Sequence, residues 1–387
     1  MPRKRRIAIQ IDLDWPLKRH HEPFSGIIDY ARQHARHWEL HPDQFPGPWV
    51  RPSQSAPGYD ALIGRITESA ARAAKRARIP IVNIWANSPI ADKVPSVLPD
   101  YAEVARMAGE HMLSRGLRHF GALGYRRDFA TRRFFEGIRD VAKEHGISVS
   151  TQLTSFSNRH NEKNWHRYLN NLSAWMDTWP RPIGVVAVYD NLSRVIDTMC
   201  QRRGLKIPED VAIVGAGDDS VLCESTEPEL SSIDVGHYRL GYLAAELLDK
   251  LLRGGRPPTD PILSPPADLV ARLSTDVYAV ADKPVGRELR YGAEHCGEPI
   301  RVADVVAHVG CSRRKLETQF RAAGRSTIND EIVTLRIELA KRLLVGTEDP
   351  IEDVAAHAGY GTAQHMRHVF RNQVGMSPRT YRETHGK

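Results

Sequence analysis

A seven-residue segment occurs twice near the end of this 387-residue chain, as Asp304-Val-Val-Ala-His-Val-Gly310 and as Asp353-Val-Ala-Ala-His-Ala-Gly359. Each copy is followed by a polar stretch that closes on an apolar residue and a phenylalanine, Leu316 with Phe320 and Met366 with Phe370. A third echo sets Gly324-Arg-Ser326 against Gly375-Met-Ser377. Three landmarks in register define an internal repeat. Each copy reads as a helix, a tight turn at Gly310 or Gly359, and a second helix, because glycine suits a left-handed turn. The flanking apolar positions pin the two helices at a fixed angle. That is helix-turn-helix geometry, whose second helix enters the DNA major groove.

Ser312 and Thr362 stand where the second helices need N-caps. Around the first such helix, Arg313, Arg314, Glu317 and Thr318 lie opposite the core face set by Leu316 and Phe320. In the second, the outward set is Gln364, His365, Arg367 and His368. Arginine offers a fork to guanine, and glutamine a donor and an acceptor to adenine. Lys315, Arg321, Arg325 and Arg371 are better placed for phosphates, which give affinity without sequence information. One such helix alone reads equally well as a solvated face. Two copies joined by one helix, roughly 329–344 and about 25 Å long, change that balance, because they hold two readers near the ~34 Å turn of DNA. Charge supports this only in part, since residues 285–387 carry 16 basic and 13 acidic side chains.

Ahead of the repeat, from Ile7 to about Val280, short apolar runs alternate with amphipathic helices. Residues 7–11, 61–63, 79–84, 120–123, 184–188 and 211–214 read as buried strands, and 101–115, 132–145 and 239–253 as helices. This alternation predicts parallel sheets covered by helices, divided into two lobes with a cleft between them. Character changes near Asp282-Lys-Pro-Val-Gly286, beyond which only helices are signalled. The expected division is therefore an α/β domain over residues 1–281 and an all-α domain over 285–387.

Ligands of two-lobed α/β folds sit where strand carboxyl ends meet the cleft. Polar residues at those ends include Asp12, Asp14, Asp100, Arg132, Asp190, Asp218 and Asp219. Carboxylates and an arginine suit sugar hydroxyls, although Asp100 and Asp190 could equally cap the helices that follow them. Trp15 and Trp85 fit either a sugar-stacking face or core packing.

Other chemistries find no support. The 17 histidines include two pairs at helical spacing, but His34 with His37 lies in a polar helix without a carboxylate partner in view, and His365 with His368 sits in the reading helix, so no metal is expected. The four cysteines are far apart, consistent with reduced thiols. Gly215-Ala-Gly217 lacks the third glycine of a dinucleotide fingerprint, and no P-loop or nucleophile elbow occurs, so neither cofactor nor catalysis is expected. No apolar run is long enough to span a membrane, and the basic start lacks a signal-peptide core; a cytoplasmic protein is expected. The net charge of +7 mildly favours a polyanionic partner.

The repeated module, with its closing Ser377-Pro-Arg-Thr-Tyr-Arg382, resembles an AraC-type DNA-binding domain. Val306 stands where that pattern usually has a small residue, whereas Ala355 fits. The larger region resembles the periplasmic-binding-protein-like sensor of LacI/GalR-type repressors, through Ala212-Ile-Val-Gly215, Asp218-Asp219, Pro228-Glu-Leu-Ser-Ser-Ile233, Gly241, Ala244-Ala245 and Leu251-Leu252. The two in this order resemble the XylR-type xylose-operon regulators, with Arg118-His-Phe120, Val188-Tyr-Asp190 and Arg202-Arg-Gly-Leu205 also in keeping. The resemblance implies a homodimeric activator of sugar catabolism that binds double-stranded DNA, RNA polymerase and a neutral monosaccharide or close derivative, with Asp100 and Asp190 at polar pocket positions. Where the family carries Asp-Asn after its Val-Gly strand, this chain has Gly217-Asp218. A missing carboxylate there removes a hydroxyl acceptor, a loss of about 1–3 kcal/mol, which counts against xylose itself and not against the sugar class. Two further function classes remain open to the sequence: a sugar-modifying enzyme with a DNA-binding appendage, and a ligand-independent DNA-binding protein.

Overall fold

The computed structural model describes residues 4–15, 17–46, 50–51, 58–155, 161–275, 291–292, 295–322, 327–347 and 349–385. It comprises two compact units, Met1–Thr275 and Asp276–Lys387. The expected boundary at 281–285, and Arg325 with the rest of Gly324–Ser326, lie outside the described residues.

The first unit holds two lobes. In one, four parallel strands run in the order β2 (Trp38–Pro42), β1 (Arg5–Gln10), β3 (Ala61–Gly64), β4 (Ile81–Asn83). In the other, six strands run β12 (Asp268–Val270), β10 (Ser231–Asp234), β9 (Val211–Ala216), β8 (Ile183–Ala187), β6 (His119–Tyr125), β7 (Ser148–Thr154), all parallel except β12. A short parallel pair, β5 (Val97–Pro99) with β11 (Ile262–Ser264), extends the first lobe beside β4. The central strands are buried along their whole length, as expected where helices cover both faces of a parallel sheet.

The chain crosses between lobes three times: after β5 at Asp100, after β10 at Val235-Gly236, and between β11 and β12. Helix His237–Leu252 therefore follows the second lobe in sequence but packs in the first. Its Leu240, Ala244, Ala245 and Leu248 share a core with Ile7, Ile9, Ile27 and Ile63. It meets helix Lys18–His34 backbone against backbone. A Cβ on Gly26 would lie 2.1 Å from the Tyr238 carbonyl oxygen, and one on Gly241 would lie 1.9 Å from that of Pro23. Only glycines permit that approach.

The second unit is helical throughout its described residues. Helices Val302–Val309 and Arg313–Ala322 form the first repeat, and Ile351–His357 and Ala363–Val374 the second, each pair turning at a left-handed glycine, Gly310 (φ +71°) or Gly359 (φ +74°). Helix Ile328–Gly346 joins them, and its 19 residues span about 28 Å. It serves two cores, with its Leu339 packed against both. Ile328, Ile332 and Leu335 pack with Val305, Val309, Leu316 and Phe320, whereas Ile337, Ala340 and Leu344 pack with Val354, Met366, Phe370 and Tyr381. Val306 packs at the edge of the first core, and Ala355 is buried in the second.

Candidate functional site

The strand carboxyl ends of the two lobes face one another, and an ion cluster ties them. Lys18 begins the first lobe's opening helix, and its Nζ donates to Asp218 Oδ2 at 3.0 Å and Asp234 Oδ2 at 2.8 Å, both at strand ends of the second lobe. Arg272, itself buried, donates to Asp218 Oδ1 at 2.9 Å and to the Leu230 carbonyl at 3.0 Å. Glu22 stands 3.6 Å from Lys18 Nζ. Burial pushes its carboxyl up to about 7; Lys18 opposes the shift, and the charges of Asp234 and Asp218 reinforce it. A second bridge joins the lobes where Asn87 Nδ2 donates to Asp128 Oδ1 at 2.5 Å.

Five residues read from the sequence as ligand contacts have the following places. Asp14 is exposed, its backbone N–H donating to Asp12 Oδ1 at 3.2 Å. Asp100 caps its helix by accepting from the Glu103 N–H at 3.2 Å. Asp190 is 3% exposed and accepts from Ser232 Oγ at 2.6 Å and from the Asp219 N–H at 3.0 Å. Burial raises its carboxyl to about 6 against the pull of those two donors. Asp218 is held by Lys18 and Arg272. Arg132 is exposed, stacks over Phe129 at 5.2 Å, and lines a cavity of about 670 Å³ with Asn87, Asp92, Tyr125 and Asp128. Asp100, Asp190 and Asp218 are thus engaged by the protein's own donors.

Gly217 has a backbone reason to be glycine. Its φ is +129°, a conformation that L side chains rarely adopt, and a Cβ would lie 2.9 Å from Asp190 Oδ2. The position demands glycine beside an existing carboxylate, so Gly217 is no vacated acceptor and says nothing against xylose.

The cleft also contains residues that the sequence reading passed over. Arg65, after β3, lies over the Trp85 ring at 5.2 Å, with its Nη1 3.2 Å from His20 Nε2. Tyr101 and Tyr189 set their rings 6.4 Å apart, and Tyr189 Oη donates to Asp128 at 3.3 Å. His237 is buried, its Nδ1 meets no hydrogen-bond partner among the described residues, and burial holds its pKa down at about 4. The available signal for Arg65 was positional: it follows strand β3 by one residue, as Trp85, already noted in the sequence, follows β4 by two. Trp15 is 57% exposed, which excludes core packing for it. His34 Nε2 stands 2.9 Å from Tyr242 Oη. Glu110, Glu144 and His145 form an exposed trio that could hold a cation, but Glu144 is already clasped by Arg106 at 2.8 and 3.0 Å.

In the helical unit, Arg313, Arg314, Lys315, Thr318, Arg321, Gln364, His365, Arg367, His368 and Arg371 are all exposed, and Glu317 is half-buried. The caps are in place: the Lys315 N–H reaches Ser312 Oγ at 3.4 Å and the His365 N–H reaches Thr362 Oγ1 at 3.2 Å. Two of the arginines are partnered, Arg313 with Glu317 and Arg367 with Glu352, each at 2.7 Å. Arg336 is a further organiser. From the joining helix it donates to the carbonyls of Cys296, Glu298 and Ile300, close against Gly359, where a Cβ would lie 2.1 Å from the Cys296 carbonyl oxygen.

Comparison with known proteins agrees with this architecture. A family of periplasmic binding protein-like domains matches residues 109–275, and a family of helix-turn-helix domains matches 305–384. The xylose operon regulatory protein of Escherichia coli (strain K12) is 28% identical over 316 residues, 80% of each chain. The regulatory protein SoxS of the same organism is 36% identical over 89 residues, which cover 23% of this chain and 83% of SoxS. A solved structure of the xylose-binding transcription activator XylR aligns over 100% of both chains with a TM-score of 0.64 at 23% identity, a shared fold. Among the described residues no helix is long and apolar enough to cross a membrane. The chain belongs to the DNA-binding transcriptional regulators, carries a periplasmic binding protein-like domain ahead of a helix-turn-helix domain, and is similar over most of its length to the xylose operon regulatory proteins.

Proposed function

We propose that the protein is a cytoplasmic, non-enzymatic regulator of carbohydrate catabolism that activates transcription when a monosaccharide, xylose or a related sugar, occupies the cleft. The observation that carries the DNA half is the pair of exposed polar helices, Arg313–Ala322 and Ala363–Val374, held at opposite ends of one rigid helix. Arg314 and Thr318 read base edges in one major groove, and Gln364, His365 and His368 in the next. Lys315, Arg321 and Arg371 hold phosphates. Arg313 and Arg367 reach DNA once released from Glu317 and Glu352. The sensor half is supported by His237 with its unpartnered Nδ1, and by Tyr101 and Tyr189, which offer hydroxyl-binding groups where the lobes meet. Asp14, Asp100, Asp190, Asp218 and Arg132 order or border that cleft.

Ligand shifts the lobe equilibrium only by preferring one arrangement, and in a homodimer that shift alters how two helical domains present themselves to DNA and to RNA polymerase. Footprinting tests the reading. Each subunit should protect two segments one turn apart; Arg314→Ala should relax base preference in one by about 1–3 kcal/mol, and His368→Ala in the other. Relaxation of the same base pairs by both substitutions would sink the two-reader arrangement.

A further inference from the structure

Two arginines by the cleft, Arg65 and Arg19, have no ion-pair partner among the described residues. Arg65 is half-buried, its guanidinium carbon 5.2 Å from the centre of the Trp85 ring and its Nη1 3.2 Å from His20 Nε2. His20 adds no negative charge, and burial together with Arg65 holds its pKa near 4, so the ring is neutral. Its Nδ1 stands 2.7 Å from the Asp12 carbonyl, and in the tautomer that donates there Nε2 is a lone-pair acceptor for Arg65. Arg19, one residue before His20, is exposed, and the described residues place no acid within ion-pair distance of it or of Arg65. Burial and then the neighbouring Arg19 lower the basicity of Arg65, and the charge of Asp12 offsets part of that.

The nearby acids are committed elsewhere. Asp12 accepts from the Asp14 N–H at 3.2 Å through Oδ1 and from Gln44 Nε2 at 2.8 Å through Oδ2. Asp128 accepts from Asn87 at 2.5 Å, from the Thr131 N–H at 2.8 Å, from the Thr131 hydroxyl at 2.6 Å and from Tyr189. Asp218 and Asp234 are bound to Lys18. A neutral sugar would offer Arg65 hydrogen-bond acceptors but no charge, leaving a desolvated guanidinium that Arg19 repels and the charge of Asp12 offsets only in part, which is an unfavourable arrangement.

We infer that the effector is a polyhydroxylated anion, an acidic sugar derivative whose carboxylate or phosphate seats between Arg65 and Arg19. The inference rests on the reading of this cleft as the effector site. A guanidinium is a planar fork that matches two oxygens of either group, while Tyr101, Tyr189 and His237 offer groups for the hydroxyls.

Calorimetry on the full-length protein tests it with matched probes: D-xylose, D-xylonate and D-xylose 5-phosphate, then D-glucose, D-gluconate and D-glucose 6-phosphate. In at least one series the acid should bind at least tenfold more tightly than its neutral parent, and more weakly as salt rises; the carboxylate and phosphate arms say which group is taken. Arg65→Gln and Arg19→Gln should each lose at least tenfold for the acid and gain nothing for the sugar. Arg19 is exposed, so its variant carries the test even if Arg65→Gln folds poorly. A neutral parent bound as tightly as its acid, with affinity unchanged in both variants, overturns the anion and leaves the sensor standing. No binding across both series, by calorimetry or thermal shift, overturns the anion and the sensor together.

Discussion

Glu22 shares one lysine with two aspartates, and removing its charge should stabilise the sensor at alkaline pH. Its folded pKa is about 7 against an ordinary 4.5, with burial as the leading cause. The unfolded chain releases this proton near 4.5 and the folded chain holds it until about 7. Stability from this group is therefore complete below 4.5, is lost as pH rises through 7, and stays lost above it. A shift of that size corresponds to about 3 kcal/mol. The side chain is still 31% exposed, and solvent screening brings the expected effect to about 1–2 kcal/mol. Glu22→Gln should therefore gain about 1–2 kcal/mol over the parent at pH 8 and match it near pH 4.5. All seven tryptophans, at positions 15, 38, 49, 85, 165, 175 and 179, precede residue 276. Urea unfolding followed by tryptophan fluorescence thus reports the sensor alone. Equal shifts at both pH values, or a loss at pH 8, would show that Lys18 compensates all three acids and that the burial argument is wrong.

Further outcomes are expected. Gly217→Asp should lower the melting temperature through about 1–3 kcal/mol of backbone strain and the approach to Asp190, without raising xylose affinity; a variant as stable as the parent would refute the demand for glycine. Phe320→Ala and Phe370→Ala should each weaken their own core by about 3–5 kcal/mol and erase one half of the footprint, since the two sit in different cores; loss of both halves from either change would mean a single cooperative core. Lys315→Ala and Arg371→Ala should reduce the salt slope of DNA binding by about one each, equally for all sequences, and unchanged slopes would place both off the phosphates.

The helical repeat was legible because periodicity, a turn glycine and a cap all agree locally in each copy. Mid-sheet strands β1, β3, β8 and β9 were legible as continuous apolar runs. Strands β2, β7, β10 and β12 were not. Ser148–Thr154 lies at a sheet edge with exposed residues along it, and Ser231 and Ser232 bury their hydroxyls against Arg272 and Asp190, so neither stretch carries a hydrophobic signal. In the cleft, strand ends were correctly located, but the partners of their carboxylates come from distant sequence. Lys18 finds Asp218 and Asp234, and Asn87 finds Asp128, only once the lobes are assembled. Arg65 carried no motif.

The backbone contact of Gly26 and Gly241 with the facing helix has a consequence for synthesis. The first hundred residues cannot complete their core as they leave the ribosome, because one wall of it, His237–Leu252, comes about 140 residues later. At about 5–20 residues per second the nascent lobe waits roughly 7–28 s with strands β1 and β3 open on that side. Over that interval the exposed apolar faces of Ile7, Ile9 and Ile63 are a target for chaperones. The lobe that is first in sequence is therefore last to close, and its closing needs the late-made Gly241 as much as Gly26.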